Sequence, residues 1–410
     1  MAVGTATLNV LSEIQDWNFK EDLHYYLNSN NLIKFGFNSI YHTFIPSKVD
    51  STAILHLKSE DNSYALENAV YVSNEQAFSK HFKATYGLRY SIFSNIGPGT
   101  IYSYDDMGNN HDSTTYPSGK IFNSFGGFEP RVLLNYTIND SSSIKTSYAR
   151  SRQYLHLLSN STSSTPFDLW VPSTVNILPE IADQFTLGYF RNFSNNMFET
   201  SFELYYKIMQ NLIDYKNGAN LILNSNVQSQ LVFGRGWGYG AELLLRKKYG
   251  KLTGWISYTL SKTMRQFNAI DNGLPYPAVQ DRPNNIALVG MYDLNPRLSF
   301  SAVFIYYTGN AVTFPSGSYY DPIEGKNVPY YTSRDGYRMP DYDRLDVSIT
   351  WVKKKTLKFE SEWNFSIYNV YGRENAYAIN FQQNPTTGLM QAIQLSLFRW
   401  VPSVTYSFKF

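Results

Sequence analysis

Residues 344–369 constrain the fold of this chain most. They read RLDVSITWVKKKTLKFESEWNFSIYN. In the first arm Leu345, Val347, Ile349 and Trp351 alternate with Arg344, Asp346, Ser348 and Thr350, and Lys353-Lys354-Lys355 marks a turn. In the second arm Leu357, Phe359, Trp363, Phe365 and Ile367 alternate with Lys358, Glu360, Glu362, Asn364 and Ser366, with Ser361 as the one small break in the apolar row. Successive side chains of a strand point to opposite faces, so the stretch predicts a β-hairpin with one apolar and one polar face. Wound as a helix, the same residues would scatter charge around the whole circumference. Each arm exceeds the roughly five or six residues usual in soluble sheets. It suits a tilted strand crossing a bilayer, which takes about 9–11 residues. A chain that repeats this unit is expected to form a membrane barrel.

Composition is consistent with that expectation. Aromatic residues are 17% of the 410, with 34 Tyr and 27 Phe, an excess that suits aromatic girdles at the two membrane interfaces. Charged residues are also 17%, below the quarter or so of an ordinary soluble domain. The net charge of +2 is no electrostatic footprint for nucleic acid. The longest apolar runs, 286–292 and 302–307, are far shorter than the ~20 residues of a spanning helix. A closed barrel is the other backbone arrangement that satisfies its hydrogen bonds in lipid. On composition alone, a secreted aromatic-rich β-sandwich or propeller remains an equal alternative. The absence of cysteine removes disulfides and Cys-based metal sites and leaves the compartment open. The opening MAVGTATLNV lacks the basic start and apolar core of a signal peptide, so an export signal is expected upstream.

The connections between strands separate these alternatives. Short turns are expected near residues 29, 77, 140, 195, 250, 295 and 354. Long loops alternate with them, the most extended at 97–127, 155–181 and 309–339, and only a shorter connection at 383–388 departs. Short periplasmic turns and long extracellular loops are the layout of outer-membrane barrels. A sandwich gives no reason for the alternation, and a propeller would repeat every ~40–50 residues. The fold class is therefore all-β, an antiparallel transmembrane β-barrel with about 15 spanning strands. In the final strand, 395–410, Val404, Tyr406, Phe408 and Phe410 share a face against Ser403, Thr405, Ser407 and Lys409. The terminal aromatic set Tyr406, Phe408 and Phe410 resembles the signal by which bacterial outer-membrane barrels are recognised for assembly.

Several stretches carry a family resemblance. They are Gly236-Trp237-Gly238-Tyr239-Gly240-Ala241-Glu242-Leu243, Leu252-Thr253-Gly254-Trp255-Ile256-Ser257-Tyr258-Thr259-Leu260-Ser261 and Asp281-Arg282-Pro283. Further on come Tyr337-Arg338-Met339-Pro340-Asp341-Tyr342-Asp343-Arg344-Leu345-Asp346, Tyr368-Asn369-Val370-Tyr371 and Tyr406-Ser407-Phe408-Lys409-Phe410. In their order and spacing, strongest from residue 182 onward, they resemble the TonB-dependent receptors, nutrient importers of the Gram-negative outer membrane. The resemblance implies a barrel of about 22 strands with a plug inside and an amino-terminal segment that binds TonB. About 15–16 of those strands are expected here, with neither plug nor TonB-binding segment. The first strand also starts on the long-loop side, whereas a complete even-stranded barrel starts on the short-turn side. Residues 1–410 are thus read as a single barrel domain truncated at its amino terminus. Its implied partners are outer-membrane lipid, the barrel-assembly machinery, TonB through the missing amino-terminal part, and a surface lipoprotein, with no nucleic acid.

The residues offer little chemistry beyond this. No nucleophile motif or phosphate loop appears, and the six histidines lack zinc-site spacing. No enzyme, cofactor or metal is expected. The oxygen-rich stretch from Tyr104 to Asp112 could hold Ca²⁺, but lacks EF-hand spacing and reads first as a solvated loop. Arg338, Asp343, Arg344 and Asp346 could form a charged site. Alternation places Arg344 and Asp346 on the lumenal face, where the preferred reading is a wall of paired charges. The loop aromatics Trp170, Tyr319, Tyr320, Tyr330 and Tyr331 could stack on a ligand or belong equally to the outer girdle. The leading function is the barrel part of an energised importer of a nutrient such as a siderophore, oligosaccharide or peptide. The alternatives are a passive porin-like channel and a structural or adhesive barrel.

Overall fold

The computed structural model describes residues 8–51, 62–105, 109–158, 169–219, 227–323, 326–356, 359–384, 386–387 and 389–410. Fifteen long strands pair in sequence order into one antiparallel sheet. They are β1 (Leu8–Asn28), β2 (Asn31–Ser51), β3 (Ser63–Ala77), β4 (Phe82–Ile96) and β5 (Ile121–Asn139). Next come β6 (Ser142–Gln153), β7 (Glu180–Phe193), β8 (Phe198–Tyr215), β9 (Leu231–Lys247) and β10 (Leu252–Gln266). The sheet ends with β11 (Asn284–Asn295), β12 (Leu298–Tyr307), β13 (Tyr342–Lys355), β14 (Glu360–Tyr368) and β15 (Val401–Lys409). The two-residue strand Tyr276–Pro277 joins at β10. Among the described residues β1 pairs only with β2 and β15 only with β14, so the sheet does not close into a smaller barrel.

Register builds the two faces. Directly paired residues share a face, so Ile349, Phe365 and Val404 form one apolar row and Trp351, Trp363 and Tyr406 the next. The Trp363 and Tyr406 rings meet at 4.8 Å. A similar belt crosses β6 to β9, where Tyr148 packs on Phe185 at 4.9 Å and Tyr206 on Tyr239 at 6.4 Å. The opposite face is polar. The hydroxyls of Ser301 and Ser348 are 2.8 Å apart, and Asn364 donates to Thr350 at 2.9 Å. The apolar rows are exposed in the isolated chain because lipid is their solvent.

Three readings from sequence are corrected. The hairpin of residues 344–369 does not turn at Lys353-Lys354-Lys355. Its ladder continues to the pair Lys355–Glu360, reinforced by an ion pair at 3.0 Å. The reversal falls at Thr356, whose amide and hydroxyl both donate to the Phe359 carbonyl. Leu357 and Lys358 lie outside the described residues. The connection at 383–388 does not join spanning strands, because β14 ends at Tyr368. Asn369 adopts a left-handed φ of 54° and is 1% exposed. Its amide donates to Asp346 at 2.9 Å and its side chain to the carbonyls of Arg373 and Arg399. The segments 378–383 and 390–395 form a hairpin of their own within the final long loop. With that correction every short turn alternates with a long loop. Finally, β5 starts at Ile121, inside the stretch 97–127 read from sequence as a long loop.

Because a barrel wall is one sheet thick, apolar burial concentrates at its long-loop end. Phe44, Ala65, Phe93 and Tyr154 make one cluster, and Leu158, Val171, Ile177, Ile213, Tyr215, Val227 and Leu231 a second. Leu212, Phe267, Ile270 and Tyr276 make a third.

Arginine placed at Ile349, 40% exposed on the apolar face, should cost about 2–4 kcal/mol in a refolding titration into bilayers, and near nothing at lumenal Ser348. Equal costs at the two positions would remove the assignment of faces.

Candidate ligand vestibule at the long-loop end

The stretch Tyr337 to Asp346 enters β13 from the longest loop, and nearly every polar side chain in it holds a different element. Arg338 pairs with the carboxylate of Asp281, which is 1% exposed. It also donates to the carbonyls of Asp281 at 2.9 Å and Gly309 at 3.1 Å. The other Asp281 oxygen accepts the Thr263 amide at 2.6 Å. Asp341 accepts from Tyr306 at 2.7 Å and from the Gly309 amide at 3.0 Å. These bonds, the Tyr306 hydroxyl first, hold its carboxyl below the usual range. Asp343 takes Arg373 and the Tyr371 hydroxyl. Arg344 pairs with Asp346 at 3.0 Å and donates to the Tyr368 hydroxyl at 2.9 Å.

Strand register stacks aromatic rings beneath this stretch. Tyr307 on β12 and Tyr342 on β13 are direct partners, with rings 4.5 Å apart and parallel to 1°. The Arg282 guanidinium lies 4.1 Å over Tyr307, and that of Arg344 lies 4.3 Å over Tyr368. A cavity of about 470 Å³ opens beside the stack, walled by Arg282, Tyr307, Tyr342, Tyr368, Tyr377 and Phe398 among others. All its strand-borne walls lie at the long-loop ends of β12, β13 and β14.

A second assembly ties three loops together. Arg334 donates to Asp214 at 3.3 Å, to the Tyr215 carbonyl at 2.9 Å and to Asn217 at 3.2 Å. Its amide donates to Asp271 at 2.9 Å, and the Tyr276 hydroxyl donates to Asp214 at 2.7 Å. Burial pushes the Tyr276 phenol up. Asp335 next to Arg334 accepts from the Thr313 hydroxyl at 2.9 Å. A third assembly lines the lumenal side of β1 to β5. His42 lies 2.7 Å from Asp16 and 3.8 Å from Glu67, and Arg89 bridges Glu67 and Glu129 at 3.6 and 3.7 Å.

The residues singled out from sequence fall in separate places. Arg344 and Asp346 stand together on the polar face. Tyr319, Tyr320, Tyr330 and Tyr331 are exposed on or beside the hairpin 317–321/326–330. Tyr319 and Tyr330 share one face of it and Tyr320 takes the other. Trp170 is exposed on a different hairpin, paired with Leu157. Tyr406, Phe408 and Phe410 are exposed along the edge strand, successive rings 6.1 Å apart. In the oxygen-rich stretch Asp105 caps Asn109 at 2.8 Å. No cluster able to hold a metal ion occurs among the described residues. Arg334, Asp214 and the His42 ladder were not picked out from sequence, and Arg282 only as part of the Asp281-Arg282-Pro283 stretch.

Burial raises the Asp335 carboxyl to about 6, above the unfolded value of about 3.9. A carboxyl raised on folding stabilises fully below the unfolded value and loses that contribution as pH climbs through about 6. Amide exchange at Arg334 and Asp335, corrected for its intrinsic pH dependence, should therefore be better protected at pH 5 than at pH 7. Asp335→Asn should flatten the difference. Equal protection at both pH values in the unaltered chain would contradict it.

No curated protein matches the sequence. A family model described as TonB dependent receptor-like, beta-barrel matches residues 4–370. Among solved structures, the apoprotein form of the FrpB iron transporter from Neisseria meningitidis superposes with a TM-score of 0.61 at 15% identity, covering 97% of this chain and 57% of that one. The ferric yersiniabactin uptake receptor of Yersinia pestis gives 0.60 at 12% identity, covering 99% and 56%. The ferripyoverdine receptor of Pseudomonas aeruginosa gives 0.59 at 12%, covering 98% and 49%. At these identities the likeness is one of fold, and the chain spans about half the length of the structures it matches. A match across that much of the chain, on an alternating sheet of this size, places it: the chain belongs to the TonB-dependent receptors of the bacterial outer membrane, as a β-barrel.

Proposed function

We propose that this chain is the barrel part of an energised importer that carries a scarce nutrient across the outer membrane. The family match over residues 4–370 carries the reading. The loop-end vestibule supports it, because three long loops are held together above a polar-lined wall by Arg334 and its partners. The names of the similar structures, an iron transporter and receptors for ferric chelates, make a ferric chelate the first substrate class to test. The exposed aromatics Trp170, Tyr319, Tyr320, Tyr330 and Tyr331 are proposed to meet ligand on the outer surface, where flat amphipathic rings lose little entropy on contact. Arg344 and Asp346 belong to the lumenal wall. Tyr406, Phe408 and Phe410 are proposed as the contact for the barrel-assembly machinery. TonB, reached through an amino-terminal segment, and a surface lipoprotein complete the proposed partners. Residues 1–410 act as one barrel domain in this reading, with no catalytic role.

Uptake of a panel of radiolabelled ferric chelates by the host tests this. Deleting the gene should remove the saturable, protonophore-sensitive part of uptake for at least one chelate, and returning the full gene should restore it. Loss of an uptake indifferent to protonophore would make the protein a passive channel. No change for any chelate would remove this substrate class.

A further inference from the structure

The cavity beside the tyrosine stack has an unusual charge balance. Its walls include Arg282, Asn310, Tyr307, Tyr342, Ala376 and Phe398. Among the described residues that line the cavity Arg282 is the one charged side chain, and none is a carboxylate. Asp281, its chain neighbour, is committed to Arg338 and to the Thr263 amide. Arg344, behind the stack, is neutralised by Asp346. Arg282 Nε is spent on Asn310 at 2.5 Å and its face is laid on Tyr307. Among the described residues its two terminal nitrogens have no carboxylate partner. Stacking and the Nε bond fix the plane of the guanidinium, which leaves the outer N–H pair as a preset fork. A fork of this kind is matched by the two oxygens of a carboxylate.

The remaining walls describe the body of the ligand. Tyr377, Leu397 and Phe398 are exposed apolar surfaces beside the opening, and Phe398 meets the Tyr368 ring edge-on at 6.5 Å. A volume of about 470 Å³ accepts one aromatic ring with a short tail. We infer that this cavity binds a carboxylate attached to an aromatic or similarly flat apolar body, with the acid on Arg282 and the body between the tyrosine stack and Phe398. A cation is repelled by Arg282, and a neutral amide forgoes the charge-assisted pair. The inference stands on the cavity alone and holds whether or not transport is energised.

The test measures binding of 3-phenylpropionate and its neutral counterpart 3-phenylpropionamide to the full chain in non-ionic detergent, by calorimetry. The acid should bind saturably and about tenfold or more tighter than the amide. Arg282→Gln should erase that preference by weakening the acid alone. Arg297→Gln, at the short turn between β11 and β12, should change nothing. Ala376→Trp puts a bulky ring into the cavity while keeping the Arg282 side chain, and should abolish acid binding. It decides the matter if Arg282→Gln fails the heat-modifiable mobility check for folding. Equal affinity for acid and amide, no saturable acid binding, or acid affinity unchanged in a folded Arg282→Gln or Ala376→Trp variant would overturn the site. Failure here leaves the uptake experiment untouched, and failure there leaves this site untouched.

Discussion

The structure depends on one constraint: in hydrocarbon, backbone N–H and C=O groups find no water, and the sheet ladder must satisfy them. Each strand therefore pairs with its neighbours along most of its length, and pairing in sequence order keeps the connections short on one side. Once the ladder is set, side-chain parity is set too. A one-residue slip would carry Ile349 and Phe365 into the lumen and Ser348 and Ser366 into lipid. The serine and threonine rows across β12 to β15 and the aromatic rows behind them are two consequences of the same register.

At the long-loop end that rule relaxes, and specific side-chain bonds replace it. Four arginines of the last third divide the work. Arg334 ties three loops through Asp214, Asn217 and Asp271. Arg338 pins the loop before β11 to the start of β13 through Asp281. Arg344 is closed off by Asp346 and Tyr368. Of the four, Arg282 alone has no carboxylate partner among the described residues. Partly buried pairs of this kind hold geometry more than they add stability, because desolvation offsets much of the attraction. A rim so held keeps its cavity shaped before any ligand arrives.

Much of the fold was legible because alternation is a local signal. The hairpin of 344–369 and the parity of Arg344 and Asp346 follow from neighbouring residues alone. The failures have physical causes. The start of β5 reads as loop because Gly126 and Gly127 look like breakers. In the sheet they make room, with the Tyr90 ring over Gly126 and the Arg152 guanidinium over Gly127. The segments 378–383 and 390–395 alternate like spanning strands, but each has only six residues, short of the roughly 9–11 a crossing takes. Of the vestibule, Arg338 and the Asp281-Arg282-Pro283 run carried a signal. Arg334 carried none, since its partner Asp214 lies 120 residues away. The open fork of Arg282 was equally hidden, because it follows from Asp281 having been taken by Arg338.

The central claim is that one sheet face meets lipid and the other meets a wet lumen, with period two. The most direct measurement is a nitroxide scan along Tyr342 to Lys355 in bilayers, with single cysteines introduced into a chain that has none of its own. Collision with oxygen should peak at positions 345, 347, 349 and 351, and collision with a water-soluble nickel chelate at 344, 346, 348 and 350. A period near 3.6, or both faces equally open to the aqueous reagent, would contradict the account.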